Sequence, residues 1–225
     1  MNIPLNKYID HTLLKAVATE EDIKTLCKEA MDYDFYAVCV NSCYVPLVKE
    51  CLKDSRVKIA SVIGFPLGAS STYSKCQETM DACKNGAEEI DMVINLGLLK
   101  SHKYEECQGD IKAVVDTAKE YGGHVKVILE TCYLDDQEIV KACELSKAAG
   151  AAFVKTSTGF GTDGAKPHHV KLMRDTVGED MGVKASGGIR DLDAALSMIE
   201  AGANRLGVSA GIQIINEYNN KEKDL

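Results

Sequence analysis

Two lysines stand where a predicted strand runs into a small polar loop, a position from which a side chain can reach a ligand. Lys155 ends an apolar run and opens the loop 156–159, and Lys184 precedes the glycine-containing loop 186–188. A lysine at a strand end is usually a solvated surface group or an ion-pair partner. Two ammonium groups that face one pocket, however, disfavour each other's charge, and one amine then moves toward its neutral, nucleophilic form. The pair therefore predicts chemistry on a carbonyl group.

Asp91 is a single carboxylate within the strand pattern 89–94. Taken alone, it fits a structural acid held by backbone N–H groups or by a lysine equally well. Beside two lysines it gains a function, because a carboxylate can orient an amine and pass protons through a water molecule. Asp10, His11 and Thr12 end the first strand, but no second histidine stands at ligand spacing. We therefore expect hydrogen-bonding roles there in preference to metal binding.

Glycine-containing segments accompany the last two predicted strands. Ser186, Gly187 and Gly188 follow one strand, and Gly207 and Ser209 belong to the segment at the end of the next. Glycines let backbone N–H groups approach an anion, and the last two loops of a βα barrel often form phosphate sites. Each segment alone fits simple turn geometry, but the two together predict a phosphate site.

Short apolar runs alternate with longer amphipathic segments along the chain, which is the pattern of βα units around a parallel sheet. Eight units can be counted, the number that closes a (β/α)8 TIM barrel. The predicted strands are 8–12, 36–40, 58–63, 89–94, 125–129, 153–155, 183–185 and 205–207. The predicted helices are 20–31, 72–85, 110–120, 137–149, 168–176 and 192–201. An open doubly wound sheet is the alternative, but no Gly-x-Gly-x-x-Gly turn follows an early strand.

A short repeat relates three of these units. Three helices end in the same Gly-Ala pair before a strand, which predicts a C-cap glycine in each. Five residues after each glycine lie Asp91, Lys155 and Gly207. If the units are built alike, these residues lie at equal depth near the C-terminal mouth, where barrel enzymes place their chemistry.

Size and charge restrict the class of protein. The 225 residues fit one domain, 1–225, because α/β barrels commonly reach this length without splitting. The formal charge of −8 argues against nucleic acid as a partner, although a few backbone N–H groups can still hold the phosphate of a small ligand. No apolar stretch approaches the roughly 18 residues of a membrane helix, and the N-terminus lacks a signal-peptide core. We therefore expect a cytoplasmic protein with no membrane partner.

Cysteine usage also fits a cytoplasmic protein. The nine cysteines are odd in number and contain no Cys-x-x-Cys pair, so reduced thiols are expected. Cys39 and Cys43 have no second ligand pair nearby, which favours buried or pocket-lining thiols over a metal site.

Five motifs resemble deoxyribose-phosphate aldolases, a family of class I aldolases. The strongest are Glu-Ile-Asp-Met-Val at 89–93, Phe-Val-Lys-Thr-Ser-Thr-Gly at 153–159 and Val-Lys-Ala-Ser-Gly-Gly-Ile at 183–189. Asp-His-Thr-Leu at 10–13 and Gly-Phe-Pro-Leu-Gly at 64–68 extend the resemblance along the whole chain. The chain is identified as a member of this family on these motifs.

The resemblance implies a (β/α)8 barrel that cleaves 2-deoxy-D-ribose 5-phosphate reversibly to acetaldehyde and D-glyceraldehyde 3-phosphate, in deoxyribose phosphate catabolism. It implies that Lys155 forms the Schiff base, that Lys184 perturbs Lys155 and shares in proton transfer, and that Asp91 works with Lys184 as proton donor and acceptor. The protonated imine is the electron sink, so no metal or organic cofactor is implied. A homo-oligomer, dimer or tetramer, is possible. Substrate contacts are expected at Asp10, Thr12, Cys39, Thr156, Thr158, Gly159, Gly187, Gly188, Gly207 and Ser209.

Two departures from the family pattern bear on the substrate site. Some relatives have a lysine directly after the Thr-Ser-Thr-Gly motif, where this chain has Phe160. Some also end in a tyrosine that reaches the active site, and Tyr218 is the nearest residue of that type here. The alternatives are a phosphosugar isomerase, a different Schiff-base aldolase and a non-catalytic sugar-phosphate sensor on the same barrel. The paired lysines argue against the isomerase, and a sensor requires ordinary, fully charged lysines.

Overall fold

The computed structural model describes residues 3–223 and contains a closed barrel of eight parallel strands. Each strand pairs with its neighbours in chain order, and the last pairs with the first. The TIM-barrel fold predicted from the sequence is therefore confirmed. The strands are β1 Ile9–Leu13, β2 Ala37–Asn41, β3 Lys58–Ile63, β4 Glu89–Val93, β5 His124–Ile128, β6 Phe153–Lys155, β7 Gly182–Ser186 and β8 Arg205–Val208.

Helices connect the strands. They are α1 Glu20–Asp32, α2 Val45–Cys51, α3 Thr72–Lys84, α4 Leu96–Lys100, α5 Tyr104–Glu120, α6 Asp136–Ala148, α7 Pro167–Val177, α8 Leu192–Glu200 and α9 Gly211–Lys223. The six predicted helices are all present, and α2, α4 and α9 were not predicted. The predicted start of α5 at residue 110 was wrong, because the helix begins at Tyr104. Cys107 and Ile111 are buried on either side of Gly109, and their burial outweighs the low helix propensity of that glycine. Thr19 and Asp22 form a capping box at the start of α1.

The stagger of the barrel decides which residues lie level with one another. A circuit of a TIM barrel shifts the strand register by eight residues, or about one residue for each strand. Lys126 is the register partner of Asp91, and Phe153 is the register partner of Lys126. With that stagger, Lys155 rather than Phe153 lies level with Asp91, and the two side chains touch. The equal depth predicted from the repeated glycine is therefore confirmed for this pair.

The same stagger sorts the inward-facing side chains into three layers of four, each contributed by alternate strands. From the mouth downward, the layers are Cys39, Asp91, Lys155 and Gly207; Asp10, Ala60, Lys126 and Lys184; and Ala37, Glu89, Phe153 and Arg205. Bulky apolar residues usually fill such layers. Here seven of the twelve positions carry charge, so this barrel is held by ion pairs along its axis.

The apolar core lies outside the barrel, between strands and helices. Val38 and Val40 of β2 pack in one buried cluster with Ile23 of α1 and Ile111 of α5. Since successive strand residues point to opposite faces, this packing turns the intervening Cys39 into the barrel. Within residues 3–223, no helix is both long enough and apolar enough to cross a membrane.

Candidate active site

The two lysines predicted from the sequence meet at one carboxylate oxygen. Lys155 Nζ and Lys184 Nζ each lie 2.8 Å from Asp91 Oδ2, and all three side chains are buried. Lys155 and Lys184 are register partners on β6 and β7, which places both amines on the same side of the barrel. The other oxygen, Asp91 Oδ1, accepts a hydrogen bond from Lys126 Nζ at 2.7 Å. Three buried amines therefore surround a single carboxylate.

A second set of contacts lies below this group. Asp10 Oδ2 accepts from Lys184 Nζ at 2.5 Å, and Asp10 Oδ1 accepts from Arg205 Nε at 2.8 Å. Glu89 Oε2 lies 2.6 Å from both Arg205 Nη2 and Lys126 Nζ. The Arg205 guanidinium also stacks on the ring of Tyr36 at 3.6 Å. These contacts fix Lys184 and Lys126 from below, so each amine has one orientation.

The buried cluster holds one more basic group than acidic groups. Its basic members are Lys126, Lys155, Lys184 and Arg205, and its acidic members are Asp10, Glu89 and Asp91. An uncompensated buried charge is costly. Lys155 has the fewest acidic partners, because Asp91 is its one ion-pair partner among the residues described, whereas the other three cations each contact at least two. Lys155 is therefore the cation of the cluster that acidic groups compensate least.

Asp91 and Lys184 stay charged at neutral pH. Burial alone would raise the pKa of Asp91, but Lys126, Lys155 and Lys184 hold it well below its usual range. Burial alone would lower the pKa of Lys184, but Asp10 and Asp91 raise it well above its usual value. Lys184 is therefore protonated at rest and lies as a cation beside Lys155.

We expect the free energy of unfolding to fall as the pH drops from about 4 to about 2. Burial alone would raise the pKa of Asp10, but Lys184, Arg205 and Lys126 outweigh burial and lower the pKa to about 2. A carboxyl group whose pKa is lowered by folding stabilises the fold above its unfolded pKa, and this contribution disappears as the pH falls through the folded value. The loss from Asp10 is about 2 kcal/mol.

Urea unfolding followed by circular dichroism across this pH range measures the loss. The variant Asp10→Asn should show a shallower dependence on pH, and Asp54→Asn, at an exposed position, should match the parent. An equal pH dependence in the parent and Asp10→Asn would contradict the assignment.

A cavity of about 300 Å³ opens above Lys155 at the C-terminal ends of the strands. It is formed by the segments that follow β1, β6, β7 and β8. Its wall consists of Thr12, Leu13, Leu14, Lys15, Lys155, Thr158, Gly159, Phe160, Ser186, Gly187, Gly188, Ile189, Arg190, Gly207, Val208 and Ser209. Lys155 is therefore the member of the charged cluster that faces this space.

Most of the predicted substrate contacts belong to this wall: Thr12, Thr158, Gly159, Gly187, Gly188, Gly207 and Ser209. Thr156, Cys39 and Asp10 are completely buried outside it. Thr156 Oγ1 donates to the Ser186 carbonyl and accepts from the Ser186 N–H, both at 3.0 Å, so its hydroxyl ties two loops together. Cys39 Sγ lies 3.9 Å from Asp91 Oδ2, and burial raises the pKa of this thiol.

The glycines of the wall have the geometry of an anion site. Gly159, Gly187 and Gly188 all have positive φ values of 78° to 86°, a backbone region that side chains disfavour. A Cβ at Gly187 would also approach Gly164 Cα to 3.1 Å. Among the described residues, no group accepts a hydrogen bond from the backbone N–H of Gly187 or Gly188. These donors are available to an anion in the cavity.

Sequence reasoning missed five charged residues of the site. Lys126, Glu89 and Arg205 complete the buried cluster, and Lys15 and Arg190 are exposed cations in the cavity wall. A signal for the first three existed, because each is a charged residue inside a strand at an inward-facing position of the two-residue repeat. The cavity cations follow the ends of β1 and β7, and a loop sequence gives no periodicity that would place them.

The cysteines and the possible metal ligands of residues 3–223 form no disulfide and no metal-binding cluster. All nine cysteines are free. In the described part of the chain, no group of three His, Cys, Asp or Glu side chains is arranged to hold a metal ion.

Comparisons with known proteins agree on one family. Residues 5–217 match the family model described as DeoC/LacD family aldolase. The deoxyribose-phosphate aldolase of Clostridium tetani is 61% identical over 95% of this chain and 98% of its own length. That of Thermococcus gammatolerans is 57% identical over 99% of this chain and all of its own. The solved "unique tetrameric structure of deoxyribose phosphate aldolase from Aeropyrum pernix" is 38% identical, with a TM-score of 0.90 over 96% of this chain and 91% of that one.

Proposed function

The chain belongs to the DeoC/LacD family of aldolases, and on that premise we propose that it cleaves 2-deoxy-D-ribose 5-phosphate reversibly to acetaldehyde and D-glyceraldehyde 3-phosphate. As a member of this family it is a carbon–carbon lyase. The proposal assigns the covalent step to a Schiff base on Lys155 and places the reaction in deoxyribose phosphate catabolism.

One observation carries the proposal: among the described cations of the buried cluster, Lys155 is the one that faces the cavity, and it has a single acidic partner. An amine in this position has a path to the carbonyl carbon of a substrate, which a Schiff-base nucleophile requires. Lys184 and Lys126 hold Asp91 ionised without competing for the substrate, because both are buried below the cavity floor.

The covalent step begins at the aldehyde carbon C1 of the open-chain sugar. The neutral Lys155 Nζ adds to C1, and loss of water from the carbinolamine leaves a protonated imine. The C2–C3 bond then breaks, its electron pair moves into the imine to form an enamine, and the C3 hydroxyl loses its proton as C3 becomes the aldehyde of the released glyceraldehyde 3-phosphate. Protonation of the enamine at C2 and hydrolysis free acetaldehyde and restore the amine.

We assign the proton transfers to Asp91 and Lys184, acting through water. Asp91 Oδ2 contacts both amines at 2.8 Å, so it can orient Lys155 for attack while Lys184 supplies a proton. Asp10 lies on the other side of Lys184 at 2.5 Å and favours the return of a proton that Lys184 has given up. Lys184 can therefore regain its proton within the hydrogen-bonded chain that joins Asp91, Lys184 and Asp10.

We place the substrate phosphate against the loops after β7 and β8. Gly187 and Gly188 offer backbone N–H groups there, and Ser209 adds a hydroxyl. Lys15 and Arg190 stand in the same wall, and among residues 3–223 neither has a carboxylate within ion-pair distance. They supply positive charge where the chain has Phe160 after its Thr-Ser-Thr-Gly motif. Backbone donors backed by two cations suit a phosphate dianion.

Borohydride trapping tests the mechanism. Acetaldehyde and sodium borohydride, added together, should convert Lys155 to an N-ethyl lysine, because the reductant fixes the imine before hydrolysis. Peptide mass mapping should place a mass increase of about 28 Da on the peptide containing Lys155. Lys126 and Lys184, buried and ion-paired, are the internal controls and should remain unmodified. Turnover without an adduct at Lys155 would overturn the Schiff-base assignment and favour isomerase-like chemistry. If neither turnover nor an adduct is observed, the result would favour a sensor.

We also propose a homo-oligomer and a cytoplasmic location. The Aeropyrum pernix relative is described as tetrameric, and its fold matches this chain with a TM-score of 0.90. Nine free cysteines suit a reducing compartment. Sedimentation equilibrium of the purified protein separates the dimer from the tetramer.

A further inference from the structure

Glu130 combines two unusual features at the edge of the active site. It follows β5, its side chain is 3% exposed, and its backbone is left-handed, with φ 55° and ψ 61°. Two other non-glycine residues have positive φ, Asp34 and His102. Both are exposed and end α1 and α4 in the way that left-handed residues commonly end helices. Glu130 ends no helix, so its strained backbone has another cause.

The carboxylate of Glu130 holds the loop that follows Lys155. Thr158 donates twice to it, from its backbone N–H to Oε1 at 3.1 Å and from its hydroxyl to Oε2. Thr158 Oγ1 in turn accepts the N–H of Phe160 at 3.0 Å. The left-handed turn at Glu130 therefore aims a buried acid at one threonine, and that threonine sets the path of the next two residues.

The burial of Glu130 is not explained by the stability of the fold. Among residues 3–223, no basic side chain lies within ion-pair distance of this carboxylate, so neutral donors from Thr158 carry the hydrogen bonding. A buried charge without a cation is normally replaced by apolar packing when only stability is at stake. The combination of strain and unpaired charge is found where a loop must be held in one position for function.

The loop 158–160 lines the substrate cavity and also contacts the glycine segment 187–188. Thr158, Gly159 and Phe160 line the cavity with Lys155, and the same loop packs on the glycine segment, with a Cβ at Gly187 reaching Gly159 Cα at 3.8 Å. A separate cavity of about 60 Å³ lies against Glu130, Thr158 and Phe160, so packing alone does not fix the loop.

We propose that Glu130 is a positioning residue that fixes the loop 158–160 against the glycine segment 187–188 and thereby sets the preference for a phosphorylated substrate. The inference rests on the proposed function. Lys155 itself is held separately, because its carbonyl accepts the Leu129 N–H at 2.9 Å in the β5 and β6 ladder. Loosening the loop should therefore disturb the phosphate end of the cavity more than the amine.

The test compares kcat/KM for cleavage of 2-deoxyribose 5-phosphate with that of unphosphorylated 2-deoxyribose. Glu130→Ala should lower the ratio of the two by about tenfold or more, mainly through a higher KM for the phosphorylated sugar, with cleavage of 2-deoxyribose within about threefold of the parent. Glu130→Gln keeps the shape and one carbonyl acceptor, and it should restore most of the ratio. Thr158→Val removes the hydroxyl donor and should lower the ratio in the same direction but less.

The outcomes separate the inference from the function on which it rests. An unchanged ratio in both Glu130→Ala and Thr158→Val, or an equal loss of kcat on both sugars, would overturn the positioning role. If Glu130→Ala fails to fold by circular dichroism, Glu130→Gln and Thr158→Val decide the question alone. Borohydride trapping at Lys155 in the parent protein tests the proposed function separately, so a normal adduct with an unchanged ratio would overturn this inference and leave the aldolase mechanism standing.

Discussion

Replacing Lys155 with methionine should reduce kcat for retro-aldol cleavage by at least about 10⁴-fold. Loss of the covalent nucleophile reduces kcat on this scale in other enzymes. Methionine fills a similar volume and cannot form an imine. The variant should fold, because it removes the one cation of the buried cluster that has no second acidic partner. Purified enzyme assayed by coupled reduction of the released acetaldehyde measures the loss.

Lys155→Arg is the matched control for this change. Arginine keeps a positive charge beside Asp91 at all working pH values and is not a Schiff-base nucleophile. If Lys155 acts as a nucleophile, both variants lose activity to the same extent. An arginine variant that retains more than about a hundredth of the parent kcat would show that the charge of the side chain matters more than its nucleophilicity.

The sequence could predict the barrel and the depth of Lys155 within it for a common physical reason. Parallel βα units give a regular alternation of short apolar and longer amphipathic segments, and the C-cap glycine gives each unit a starting point for counting. Asp91 and Lys155 each lie five residues after such a glycine, so the count placed them at one depth. The barrel agrees, because a stagger of one residue per strand brings these two residues to the same height along the barrel axis. Local patterning and barrel geometry therefore give the same answer.

The charge balance of the interior could not be predicted in this way. Glu89 and Arg205 contact each other across strands that are far apart in the chain, and a single sequence shows the charges without showing which ones meet. The structure explains why each is present, because Lys126 bridges Glu89 and Asp91 and thereby links two layers of the barrel. Glu130 was missed for a related reason, since a left-handed backbone at a non-glycine residue leaves no mark in the sequence.

The surplus of one buried positive charge makes the second lysine the more informative site. With Lys184 removed, the cluster has three basic and three acidic groups, and it is balanced while Lys155 keeps its proton. A neutral, nucleophilic Lys155 would then leave an unpaired carboxylate in the barrel, which is unfavourable. The neutral amine should therefore become scarce at the working pH.

Lys184→Leu is accordingly expected to lower kcat by about 10³-fold or more and to move inactivation of Lys155 by an amine-directed reagent to higher pH. The first effect combines the scarcity of neutral Lys155 with the loss of a proton donor, and the second reports the charge effect alone. Rates of inactivation by trinitrobenzenesulfonate across about pH 6 to 10, with adducts located by mass spectrometry, give the profile.

Lys126→Leu separates the two effects, because Lys126 contacts the same carboxylate as Lys184 but through the other oxygen. Its removal corrects the charge surplus equally, so the inactivation profile of Lys155 should move in the same direction. Lys184→Leu should nevertheless lose more turnover, since it alone removes the amine that shares Asp91 Oδ2 with Lys155. Equal losses of kcat in the two variants would show that Lys184 contributes its charge and no proton transfer. If neither variant shifts the pH profile for inactivation of Lys155, the coupling between the buried charges and the nucleophile is contradicted.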